Sequence, residues 1–183
     1  MTSDAFEITP EKMDFRAYSI SWNLTKRCNL NCDHCYLDAD FRGGFRTDEL
    51  DTIQCKKVID QIAEVNPNAF LILTGGEPLL RPDIYELIRY AADKKFMVVL
   101  GTNGTLINEA NAKKIKAAGA HGVGISIDSM DATKHNKFRG VTGAWEHSME
   151  AFNVLNEVGV DFLIQMSVSD MNYREIPDVV AFT

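Results

Sequence analysis

Cys28, Cys32 and Cys35 put three thiols into eight residues, Cys28-Asn-Leu-Asn-Cys32-Asp-His-Cys35, with gaps of three residues and then two. At that spacing the thiolates can converge on one small inorganic centre while the backbone between them curls around it. Structural zinc sites and ordinary electron-transfer iron–sulfur clusters are usually closed by four protein ligands. This stretch supplies three. The remaining cysteine, Cys55, starts an apolar stripe with Val58, Ile59 and Ile62, where a cysteine serves as a small buried hydrophobe. A cubane [4Fe–4S] cluster on Cys28, Cys32 and Cys35 would therefore keep one iron open to a non-protein ligand.

The elements around these cysteines follow from periodicity. Tyr18–Leu24 alternates apolar with polar residues and predicts a strand that feeds directly into the cysteine loop. Phe41-Arg-Gly-Gly-Phe45 then reads as a glycine hinge, and Thr47, Asp48 and Glu49 start a helix near Leu50 that runs to Val65. Ala69–Leu73 is a continuous apolar run of the kind that is covered on both faces. Pro82 opens a helix with Ile84, Leu87, Ile88 and Ala91 at helical spacing. Phe96–Leu100 is the next strand, followed by a helix over 108–118 stopped by Gly119, and then by the strand Val123–Ile127. A long exit loop over 128–143 leads to a helix carrying Ala151, Val154, Leu155 and Val158. Val160–Val168 is a fifth strand, and Glu175 onward begins another helix. Five strands alternating with helices predict an α/β fold with a parallel sheet. Periodicity leaves open whether that sheet curls into part of a (β/α) barrel or lies flat and doubly wound.

The other chemistry-bearing residues stand at strand ends. Gly75-Gly-Glu-Pro78, Thr102-Asn-Gly104 and Ser126-Ile-Asp128-Ser129 each follow a predicted strand, as the cysteine loop does. In parallel βα architectures those ends share one rim, where binding groups gather. Gly75 and Gly76 let backbone approach closely and expose peptide groups, as an added strand or an anion nest would.

Composition narrows the function classes. Of the 183 residues 45% are hydrophobic and 25% charged, which is ordinary for a globular domain, and the net charge of −7 argues against a nucleic-acid or anionic-membrane surface. The first residues lack the apolar core of a signal peptide, and no run approaches a membrane span. Cysteines clustered in one motif suit a reducing compartment, so the expected location is cytoplasmic. Residues 1–16 read as a leader and 17–183 as one core domain. The final stretch, Glu175 to Thr183, opens an amphipathic helix without a C-cap, and the fifth strand would present Phe162, Ile164 and Met166 as an apolar edge. Both features predict a chain truncated after about five βα units.

The spacing CxxxCxxC with His34 in the aromatic-type position before the last cysteine, GGEP after the second strand, and the run from Asp128 through His135 to Phe138-Arg-Gly140 together resemble the radical S-adenosylmethionine (radical SAM) superfamily. The resemblance extends from Trp22 through Arg139 and is closest to the SPASM-type group of haem-pathway tetrapyrrole modifiers and peptide maturases. It implies a six-stranded partial barrel, a [4Fe–4S] cluster on Cys28, Cys32 and Cys35, and SAM chelated to the free iron. It also implies contact of Gly75, Gly76 and Glu77 with the SAM amino group, and pairing of Arg139 with its carboxylate. His34, Ser126 and Asp128 are implied on the cofactor as well. Asn103 would bond the ribose hydroxyls or the methionine part, or else simply tolerate a left-handed turn, and Asp128 would otherwise cap the turn that follows it. His135 is expected to hold its loop; for Gln165, Ser167 and Ser169, alternation does not decide which face is inward.

The implied reaction is one-electron cleavage of SAM to methionine and a 5′-deoxyadenosyl radical, which abstracts a hydrogen atom from a small-molecule or peptide substrate, with electrons from a donor such as flavodoxin or ferredoxin. A tetrapyrrole of haem or haem d1 biosynthesis is the expected substrate and peptide maturation the alternative. A reading of another class, a non-catalytic iron–sulfur or zinc-binding module, requires a fourth protein ligand.

Overall fold

Strand order settles the choice between a curled and a doubly wound sheet. The computed structural model describes residues 19–41 and 48–182. In it β1 (Ser19–Asn23), β2 (Phe70–Thr74), β3 (Met97–Thr102), β4 (Gly122–Ser126) and β5 (Phe162–Gln165) pair in chain order, all parallel. A doubly wound sheet would reverse direction from a central strand. Here each crossover advances one strand the same way, so the helices fall on one face and the other face is left concave, as in part of a barrel.

That partition follows from the side chains. Leu71 and Leu73 of β2, Val98 and Leu100 of β3, and Val123 and Ile125 of β4 point to the helical side. There they pack with α1 (Thr52–Val65), α2 (Ile84–Asp93), α3 (Glu109–Ala118) and α5 (Ala144–Val158) in one cluster that includes Ile59, Leu87, Ile115 and Leu155. The alternate residues Ser21, Ile72, Thr74, Gly101, Ser126 and Gln165 line the concave side. β2 is thus half-buried on one face rather than covered on both.

Several boundaries differ from the sequence expectation. The first helix starts at Thr52, because Asp51 accepts from the Gln54 N–H and Gln54 returns a bond to the Asp51 backbone, a capping box that outcompetes the upstream acids. The fifth strand is regular only over Phe162–Gln165 and ends the sheet, paired among the described residues with β4 alone; its Phe162 and Ile164 side chains pack against the core, and Leu163 and Val168 are exposed. The leader and most of the glycine hinge lie outside the described residues. The largest departure is in the 128–143 loop, which contains α4 (Ala132–Arg139), capped by Asp131 at its start and by Gly140, at φ 69°, at its end. Its sequence is so polar that no apolar stripe announces it. The chain closes with α6 (Ile176–Phe182), preceded by a 3-10 turn at Tyr173–Glu175.

α4 matters because it holds the cysteine loop. The loop is closed at its base by pairing of Arg27–Cys28 with Asp40–Phe41. On one side Gly76 N–H donates to Thr25 O at 2.7 Å and Glu77 N–H to Arg27 O at 2.8 Å. On the other, Asn31 N–H donates to Arg139 O at 3.1 Å and Asp33 N–H to Phe138 O at 3.0 Å. Gly140 sits so close that a β-carbon there would lie 2.0 Å from Asn31 O. Gly140→Ala should therefore displace the cysteine loop and lower stability by about 1–3 kcal/mol; a urea midpoint equal to wild type would show that the loop is not clamped at this point.

Candidate metal and cofactor site

A cavity of about 490 Å³ opens at the C-terminal ends of the strands, and Cys28, Cys32, Cys35, His34, Gly75, Gly76, Asn103, Ser126 and Arg139 all line it. All three thiols are free. Each has one donor: Leu30 N–H reaches Cys28 Sγ at 3.4 Å, Ala39 N–H reaches Cys35 Sγ at 3.4 Å, and Arg139 Nη1 lies 3.9 Å from Cys32 Sγ. Those donors favour thiolates. Burial opposes them, pushing the Cys28 thiol up to about 11 and raising that of Cys32 against the pull of Arg139. Such thiols stay protonated near neutral pH until a metal displaces the proton. The donor set fits an iron–sulfur centre, with backbone N–H groups and a guanidinium to offset sulfur charge. Among the described residues no three His, Cys, Asp or Glu side chains are gathered on a single-ion position. Cys55 is elsewhere, fully buried in the core with Sγ 3.7 Å from Leu50 O and 3.8 Å from Arg81 Nη2.

The two glycines after β2 are required by the protein's own backbone. A β-carbon at Gly75 would lie 2.5 Å from Thr25 O, and one at Gly76 would lie 2.3 Å from Arg27 O. The segment adds as a short strand to the chain entering the cysteine loop, and both glycines still line the cavity. The Glu77 side chain is not on that lining. Fully buried, its carboxylate accepts from Leu79 N–H at 3.0 Å, from Thr102 Oγ1 at 2.8 Å and from Asn103 N–H at 2.9 Å. Burial raises its pKa against the pull of those donors. Glu77 thus ties the glycine turn to the end of β3. Pro78 begins a 3-10 turn over Pro78–Leu80.

Asn103 has a comparable internal job. Its Nδ2 donates to Asn29 Oδ1 at 2.9 Å, its Oδ1 accepts from Thr105 N–H and Oγ1, and Asn29 Nδ2 closes the ring on Thr105 Oγ1 at 2.7 Å. The left-handed residue of this turn is Gly104, at φ 84°, so Asn103 is not there to tolerate it.

Asp128 is 1% exposed and every polar group it has is engaged. Its N–H donates to His135 Nδ1, its carbonyl accepts from Asn172 Nδ2, Oδ1 accepts from Ser167 N–H at 3.0 Å, and Oδ2 forms an ion pair with Arg139 Nε at 2.6 Å that lies outside hydrogen-bond alignment. It pairs with Arg139 and is not in the cavity lining, and the helix that follows is capped by Asp131. Arg139 is 7% exposed, with Nη1 aimed at Cys32. His34 stacks on Phe138 with ring centroids 4.1 Å apart and 8° between planes. Gln165 and Ser167 face the cavity, while Ser169 bonds to Asn172. Sequence reading did not single out Asn29 and Asn172, and only the partners they acquire in the fold distinguish them.

The family model of the radical SAM superfamily matches residues 22–183. The chain belongs to that superfamily. It is 42% identical over 163 residues to the AdoMet-dependent heme synthase of Nitratidesulfovibrio vulgaris, covering 87% of this chain and 43% of that protein. It is 32% identical over 163 residues to the antilisterial bacteriocin subtilosin biosynthesis protein AlbA of Bacillus subtilis, covering 87% of this chain and 35% of AlbA. The chain thus spans less than half the length of these relatives. Its fold matches that of native anSMEcpe with bound AdoMet at a TM-score of 0.71 and 23% identity, over 90% of this chain and 48% of that one.

His135 makes the support of this site pH-dependent. Burial first, and then the Arg139 guanidinium, lowers its pKa from 6.5 to about 4, and burial lowers that of His34 as well. A folded pKa below the unfolded value means that the unfolded chain binds the proton first, so this contribution is present above about pH 6.5 and is lost as pH falls through about 4. Asn at position 135 keeps an acceptor for Asp128 N–H but cannot titrate. Urea unfolding at about pH 7 and about pH 5 should show a smaller loss of stability for His135→Asn than for wild type; equal losses would mean that His135 is not held neutral in the fold.

Proposed function

We propose that this chain is the cofactor-binding core of a radical SAM enzyme, in which Cys28, Cys32 and Cys35 hold a [4Fe–4S] cluster. The observation that carries the reading is the placement of three free thiols, with the fourth cysteine buried elsewhere, in the lining of one cavity together with residues from the strand ends. When bound, the cluster and SAM supply one-electron cleavage of the sulfonium bond and a 5′-deoxyadenosyl radical that takes a hydrogen atom from the substrate. The chain's own residues do the positioning. Arg139, aimed by Asp128, receives the SAM carboxylate. The peptide carbonyls at Gly75 and Gly76 receive the ammonium group, with Glu77 fixing their turn from behind. Asn103 and Ser126 offer polar groups to the ribose and methionine parts, and His34, flat on Phe138, presents a planar face to the cavity. Enclosure by the concave sheet keeps water from the reactive species.

The identity to the heme synthase supports a tetrapyrrole of haem biosynthesis as the substrate. The similarity to AlbA supports peptide maturation as the second reading. A non-catalytic iron–sulfur or zinc module would need a fourth ligand, and Cys55 is committed to the core. We place the enzyme in the cytoplasm with a flavodoxin- or ferredoxin-type donor; no helix among the described residues is long and apolar enough to cross a membrane.

Anaerobic reconstitution should give about four iron and four sulfide per chain, abolished by Cys28→Ala, Cys32→Ala or Cys35→Ala and retained by Cys55→Ala. Adding SAM to the reduced protein should shift its EPR spectrum. Cluster loss in Cys55→Ala, or a spectrum indifferent to saturating SAM, would overturn the three-ligand reading.

A further inference from the structure

Asn172 lies in the turn beyond β5, outside the cavity lining, and is 5% exposed. Its Nδ2 donates to Asp128 O and to Ser167 O, each at 2.9 Å, and its Oδ1 accepts from Ser169 N–H at 2.8 Å. One side chain thus joins the exit of β4 to the exit of β5 where the regular ladder has ended. The residue it holds, Ser167, is the one whose N–H fixes Asp128 Oδ1, while Asp128 Oδ2 faces Arg139 Nε. Glu175 adds a second tie from the same segment, through Ser129 Oγ and Lys134 Nζ, to the start of α4.

We infer that Asn172 is a positioning residue that sets Arg139 through Ser167 and Asp128. Asp128 is buried, and its carboxylate is held in one orientation by a backbone N–H on one oxygen and a guanidinium on the other. If the 167–172 segment loosens, Oδ1 loses its donor, and a buried carboxylate left half-satisfied turns toward whatever donor remains. Arg139 then loses the partner that directs Nη1 toward Cys32 and the cavity. An asparagine fits this place because it offers two donor hydrogens and an acceptor within one planar group. The inference rests on the reading that Arg139 receives the SAM carboxylate.

The test is a double-mutant cycle on the reconstituted holo-chain, with SAM affinity measured by calorimetry for wild type, Asn172→Ala, Arg139→Ala and the double variant. Asn172→Ala should raise the Kd for SAM about tenfold in the wild-type background and leave it nearly unchanged in the Arg139→Ala background, since the residue acts only through the arginine. A generally loosened fold would instead weaken binding by the same factor in both backgrounds. Such additivity, or a wild-type Kd for Asn172→Ala, would overturn the inference while leaving the reading of Arg139 intact. A wild-type Kd for Arg139→Ala would remove that reading and the inference with it. Should Asn172→Ala fail to accumulate as folded protein, Asn172→Asp keeps the shape and the acceptor for Ser169 while losing the Nδ2 donor; it is expected to show the same non-additive loss, and unchanged affinity there would count equally against the proposal.

Discussion

The cysteine loop is held from two sides by backbone hydrogen bonds, to which Asn29 and His34 add side-chain contacts. Thr25 and Arg27 accept from the glycine segment after β2, and Asn31 and Asp33 donate to the last carbonyls of α4. Peptide groups are the stiffest partners a loop can have, since they move only with the elements that carry them. Two elements more than fifty residues apart in sequence therefore fix where the thiols stand. Three glycines sit at the contacts because no side chain fits there: Gly75 and Gly76 on one side and Gly140 on the other.

Around this frame the buried charges act as ties. Among the described residues Glu77 has no cation beside it and is held by three donors, two of them backbone N–H groups, which stabilise a buried carboxylate in proportion to how fixed they are. Asp128 shares its charge between a backbone N–H and Arg139. Desolvating such groups is costly, and removing one partner costs more than the pair contributes. The arrangement is therefore intolerant of partial change, a property suited to a site that must hold a cofactor in one orientation.

The strands and their order of appearance were legible in the sequence, because apolar runs of four to six residues bounded by glycine and proline admit few other readings. The cysteine motif and the strand-end motifs were legible for the same reason that they are functional, being unusual residue types at short fixed spacings. The polar helix α4 was not, since Ala132–Arg139 has no apolar stripe: Phe138 and Arg139 bond the cysteine loop through their carbonyls, and His135 is buried beside Asp128. Nor could a sequence say that Gly75 and Gly76 are glycines on account of Thr25 and Arg27, or that Glu77 turns inward. Those facts depend on which segment lies alongside, and register alone decided that Gln165 faces the cavity.

In the proposed site a cluster would have three protein ligands and one iron left for SAM. Mössbauer spectroscopy of the chain reconstituted with ⁵⁷Fe tests it most directly, because it resolves the irons of one cluster by their ligands. Adding SAM should change the parameters of one iron in four and leave the other three, on Cys28, Cys32 and Cys35, as they were. Four irons that respond alike, or none that responds at saturating SAM, would contradict it.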